Sequence, residues 1–82
     1  MNDEEVGEID VELIKKKVLA HHQKRLRTHL VFKKGYWKNG LVTEIGAEFF
    51  MLDELFEGTM PVFYSELSKV ETYNSLNKKG AQ

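Results

Sequence analysis

The 82-residue chain contains no cysteine. That absence excludes a disulfide framework, a thiolate metal site and a cysteine nucleophile, so packing or self-association must hold so small a fold together. Proline is nearly absent too, with Pro61 the single instance. No apolar run approaches the ~20 residues that a membrane-spanning helix needs. The first residues are acidic where a secretory signal would be basic, and the expectation is a soluble, cytoplasmic protein. A strong excess of either charge is also missing: the formal net charge is −1 at pH 7, which argues against a chain coated in positive charge for nucleic acid.

The charge that is present is segregated. Asp3, Glu4, Glu5, Glu8, Asp10 and Glu12 open the sequence without a lysine or arginine, whereas Lys15, Lys16, Lys17, Lys24, Arg25, Arg27, Lys33, Lys34 and Lys38 follow with no acid among them. If the middle block folds onto one face, that face is basic; the alternative is a solvated helix whose lysines serve solubility. A chain this short buries only ~60–65% of its unfolded surface, enough for one core.

Catalytic chemistry finds no support. The histidines are His21, His22 and His29. Two of them are adjacent on an expected helix and point in different directions, so no shared metal site is expected. Asp53, Glu54 and Glu57 fall at a strand end and turn, where a solvated face is the ordinary explanation, and no Ser-His-Asp or paired-carboxylate arrangement can be argued. The chain is expected to be no enzyme and to carry no cofactor or metal.

Along the chain, residues 1–9 read as a flexible acidic arm, 10–73 as the domain and 74–82 as a disordered polar tail. Asp10 is the expected N-cap of a helix from about Val11 to Lys24, with Val11, Ile14 and Val18, and Leu19 and Leu26 alongside, at three- and four-residue steps. After Arg25 the period changes to two. "RLRTHLVFK" puts Leu26, Thr28, Leu30 and Phe32 on one side; "GLVTEIG", "FFMLDEL", "MPVFYSEL" and "SKVETY" follow as further strands. Turn signals fall at Gly35, Asn39-Gly40, Gly46, Glu57-Gly58 and Ser65-Glu66. The predicted fold is mainly β, an α+β small barrel: an N-terminal helix, then five strongly bent antiparallel strands, since a flat sheet of that size leaves one face bare.

In "KKGYWKNGLVTEI", Gly35 and Gly40 imitate the spacing of a phosphate-binding loop, but Leu41 and Val42 stand where that chemistry needs lysine and then serine or threonine. The structural reading is that "KKG" reverses the chain and that Gly40, at the start of the second strand, permits sharp bending or close backbone approach. Trp37, between two turn signals, is either a plug of the barrel or a surface anchor, with the plug expected.

"LVFKKGYWKNGLVTEIGAEFFML" resembles the first motif of the Sm, LSm and Hfq superfamily, and "PVFYSELSKVE" is similar to the closing strand pair of its Hfq-like members. The likeness covers about Asp10 to Tyr73. It implies an SH3-like, Sm-like barrel in a homo-oligomeric ring of five to seven subunits, with a role in RNA metabolism or riboregulation. The chain departs from the Sm pattern at the uridine-contacting positions, where it has "GAEFF" and "FYSE". Pro61 marks the fourth strand as a sheet edge, and an apolar edge must be covered or paired. Subunit contacts are therefore expected at Met60, Val62, Phe63 and Val70. In a ring, Glu48, Phe49, Tyr64 and Ser65 would face the pore, the aromatics stacking on bases of single-stranded RNA and the others bonding to base edges. Lys15, Lys16, Lys17, His22 and Arg25 would form a basic annulus for phosphates. Phe50, Met51 and Phe63 are expected to serve packing and not to contact RNA. The competing expectation is an SH3-like protein-interaction or structural oligomeric module that binds no nucleic acid.

Overall fold

The computed structural model describes residues 3–73, with side chains from Val11 onward. The tail expected at 74–82 lies outside the described residues, as do the first two residues of the expected arm. Helix α1 spans Asp3–Lys24. It starts seven residues before Asp10, the expected cap. A helix nucleated by its packed half propagates at little cost per residue, and acidic residue types suit a helix N-terminal turn, so a stretch without apolar periodicity can still be helical.

Among the described side chains of α1, the stripe of Ile14 and Val18 reaches the core, while Leu13 and Leu19 face outward at 46% and 41% exposure. Side chains pin its last turn. His21 donates from Nδ1 to the Lys17 carbonyl at 2.7 Å and places Nε2 2.9 Å from the Thr72 hydroxyl; His22 donates from Nδ1 to the Val42 carbonyl at 2.9 Å. The helix then ends in a Schellman motif. The Leu26 amide donates to the His21 carbonyl at 3.0 Å and the Arg25 amide to the His22 carbonyl at 3.2 Å, with Arg25 at φ 57° in the left-handed position usually held by glycine.

The strands are β1 (Thr28–Phe32), β2 (Trp37–Ile45), β3 (Phe49–Glu54), β4 (Gly58–Phe63) and β5 (Leu67–Thr72), with a 3-10 turn at Tyr64–Glu66 before β5. They form one antiparallel sheet in the order β4-β3-β2-β1-β5. Two devices coil it. The pairing of β2 with β3 slips at Thr43, between Val42↔Leu52 and Glu44↔Met51, and that of β1 with β5 slips between Val31 and Phe32. Such bulges bend a strand and tighten its twist. Gly40, expected to start the second strand, lies inside β2, three residues past its first residue Trp37, and a Cβ there would run into the Asp53 carbonyl. Close backbone approach is therefore its role. Gly35, at φ 104°, makes the β1–β2 turn, and its amide donates to the Phe32 carbonyl at 2.9 Å.

The coiled sheet and the helix stripe enclose Leu30, Phe32, Val42, Phe50, Leu52, Val62, Tyr64, Leu67 and Val70 with Ile14 and Val18. Thr28 is fully buried and donates its hydroxyl to the Leu26 carbonyl at 3.0 Å; no buried side-chain polar atom among the described residues lacks a partner. Trp37 is 61% exposed, so it is no plug. Its place as first residue of β2 puts it outside the barrel, next to His29 at 5.6 Å between ring centroids.

Candidate functional site

The turn between β2 and β3 and the 3-10 turn after β4 lie side by side because two hydrogen bonds stitch them together. The Tyr64 hydroxyl donates to the Gly46 carbonyl at 2.8 Å, and the Tyr64 amide to the Glu48 carbonyl at 3.2 Å. Helix α1 closes over the join and sets the Lys15 ammonium 5.6 Å from the Tyr64 ring centroid. A cleft of about 210 Å³ opens here, with Lys15, Glu48, Phe63, Tyr64 and Ser65 in its lining. Three distant stretches of chain thus meet, and four of the nine residues expected to touch RNA are among them. Neither Lys15 nor Glu48 has an ion-pair partner among the described residues, whose one salt bridge is Lys38 to Glu57 at 2.9 Å. That bridge, first of all through its hydrogen bond, raises the Lys38 ammonium above its ordinary range.

Tyr64 does not offer a stacking face. It is 3% exposed, its ring packs on Phe50 at 5.3 Å, and burial pushes its phenol upward from its ordinary value. It forms the floor of the cleft. The available aromatic surface comes instead from Phe49 and Phe63, a cross-strand pair with centroids 5.4 Å apart and exposures of 39% and 42%. Phe63 was expected at a subunit contact and not in a binding cleft. Its register opposite Phe49 was the missing information.

The expected basic face is divided. Lys15 belongs to the cleft above; Lys16 and Lys17 are exposed along the helix; His22 and Arg25 line a second, larger cleft of about 440 Å³ with Leu41, Val42 and Thr43. Lys15 and His22 are seven residues apart, two helical turns, and so share one flank of α1. A third cleft, about 240 Å³, went unnoticed in the sequence; it is lined by Phe32, Lys33, Lys34, Tyr36, Ser65 and Glu66. There Tyr36 stacks on Phe32 at 4.4 Å and 12°, with the Lys38 ammonium 5.8 Å from its centroid. The alternation of lysine and aromatic residues in "KKGYWK" was its signal.

Of the expected contact residues, Val62 and Val70 are each 2% exposed and pack in the core of their own chain, because they point inward on β4 and β5. Met60 is half-buried against that core, and Phe63 faces outward. Among the described residues there is no cluster of metal-ligating side chains, and no helix is long and apolar enough to cross a membrane.

A helix followed by five antiparallel strands, bent by glycine and bulges, with its consecutive strands β4 and β5 left at opposite edges, is the Sm-like α+β fold. The chain is similar in structure to the 1.55 Å crystal structure of the pleiotropic translational regulator Hfq, with a TM-score of 0.60, 14% identity, and coverage of 71% of this chain and 93% of that one. No protein-family model and no curated protein matches the chain. What the two proteins share at that identity is the fold.

Proposed function

We propose that the chain assembles head to tail into a closed ring of five to seven copies and binds single-stranded RNA at the ring opening and along the basic flank of α1. The observation that carries this reading is the strand order. β4 and β5 follow one another through a three-residue turn, yet they sit at the two ends of the sheet, each with an edge available to another chain. Pairing the β4 edge of one copy with the β5 edge of the next satisfies both ladders, and such heterologous contacts must close into a ring or grow as filaments. The likeness in fold to a translational regulator supports the same direction. In a ring, the cleft of Lys15, Glu48, Phe63 and Ser65 recurs once per subunit. The basic side chains of a nearly neutral chain then multiply by symmetry.

Backbone contacts to RNA come from Lys15, Lys16, Lys17, His22 and Arg25. Base contacts come from Phe49 with Glu48 and Ser65, and Tyr64 supports them from beneath. The chain acts as a cytoplasmic binding protein and not as an enzyme. Binding of short U- or A-rich oligoribonucleotides should weaken steeply as salt rises, with log K falling by about 0.7 per phosphate neutralised for each decade of salt. Absence of binding at low salt would contradict the reading. It would favour a protein-contacting ring instead, a second reading to which one observation lends weight: Trp37, Leu55 and Phe56 are exposed by 61%, 52% and 91%. Large apolar surface displayed this way marks protein contacts.

A further inference from the structure

We infer, on the reading that this cleft receives RNA bases, that Glu48 makes it select guanine over uracil. Glu48, Lys15 and Ser65 line one small cleft, and the Glu48 carboxylate has no ion-pair or side-chain hydrogen-bond partner among the described residues. An ionised carboxylate offers only acceptors, on two oxygens side by side. Unpaired bases are read by hydrogen bonds along their Watson–Crick edges while their faces stack on aromatic rings.

Guanine alone presents two adjacent donors on that edge, N1–H and the N2 amino group, beside one acceptor, O6. A carboxylate takes two parallel donors as it takes the arginine fork, and bidentate geometry adds specificity as well as strength. The remaining acceptor, O6, meets a donor from the same cleft, the Lys15 ammonium or the Ser65 hydroxyl. Uracil presents one donor, N3–H, flanked by two carbonyl acceptors, so a carboxylate facing it meets lone pairs on both sides. Adenine and cytosine each place one amino group next to a ring acceptor and can satisfy only one oxygen. Phe63, half-exposed on the cleft wall, gives the base an apolar face to pack on.

The test compares hexaribonucleotides U6, A6, C6 and (UG)3 by fluorescence anisotropy at low salt, against the full chain and Glu48→Gln. The exposed position of residue 48 means that the variant should melt with the parent. The parent should bind (UG)3 about tenfold more tightly than U6. Glu48→Gln should bring the two within about twofold, because an amide offers donors as well as an acceptor. The inference is overturned, with RNA binding intact, if the parent binds U6 as tightly as (UG)3 or if the variant keeps the preference. If no hexamer binds, the RNA reading itself fails and this inference falls with it.

Discussion

At the scale of single residues, Tyr64 shows how a local geometry assigns a role. Its alternation with Met60 and Val62 was readable in "MPVFYS", and the structure keeps all three on one side of the chain. Which side becomes the core was not readable, because Phe63 on the opposite side is equally large. Burial and the bond to Gly46 settle it. Tyr64→Phe leaves the Gly46 carbonyl without its donor and should lower stability by about 1–2 kcal/mol in urea titration. The raised phenol also has a sign. A group that holds its proton more tightly when folded stabilises the fold below its ordinary value near 10, and that contribution disappears as pH rises through the folded value. The parent should thus lose more stability than Tyr64→Phe when both are titrated from pH 9 upward.

Arg25 makes the complementary case. An L-residue in the left-handed region costs about 1–2 kcal/mol, which glycine avoids. Arg25→Gly should therefore raise the unfolding free energy by about 1 kcal/mol, read from the urea midpoint, because the two Schellman bonds remain. The same change removes one cation from the cleft it shares with His22 and should weaken low-salt RNA binding. A more stable protein that binds less well would mark Arg25 as kept for contact and not for folding.

At the scale of elements, the period-two pattern located all five strands to within a few residues, because alternate burial is a local property of the sequence. Thr28, Leu30 and Phe32 are buried as the alternation requires. The bulges at Thr43 and along β5 left no such trace, since an extra residue in a ladder depends on the partner strand. The helix illustrates the same limit. Leu13, Ile14, Val18 and Leu19 are all apolar, yet only the stripe of Ile14 and Val18 meets the sheet. Ile14→Ala should destabilise the chain by about 2–4 kcal/mol, and Leu13→Ala should remain within about 0.5 kcal/mol of the parent in the same denaturant titration. Equal effects would mean that α1 packs in another rotation.

At the scale of the whole molecule, the candidate site was half legible. Glu48, Ser65 and Lys15 were singled out by residue type and by resemblance, and the structure brings them into one cleft. Phe63 and the Tyr36 platform were missed because their placement depends on register and on the β1–β2 turn. Val62 and Val70, expected at contacts between subunits, have their side chains in the core of their own chain, since inward positions on an edge strand face that core and leave the backbone edge for any neighbour. On the proposed ring, symmetry would decide how strong the weak local chemistry becomes. Each chain carries a formal charge of −1, so a lone copy has little long-range attraction for phosphate, whereas the proposed ring would gather the basic flanks of its copies around one opening.

Ring formation therefore bears the whole functional account, and native mass spectrometry of the purified full chain tests it most directly. The account predicts one discrete assembly whose mass is five to seven times that of the chain, stable on dilution into the micromolar range. A spectrum holding only the single-chain mass at every concentration would contradict it.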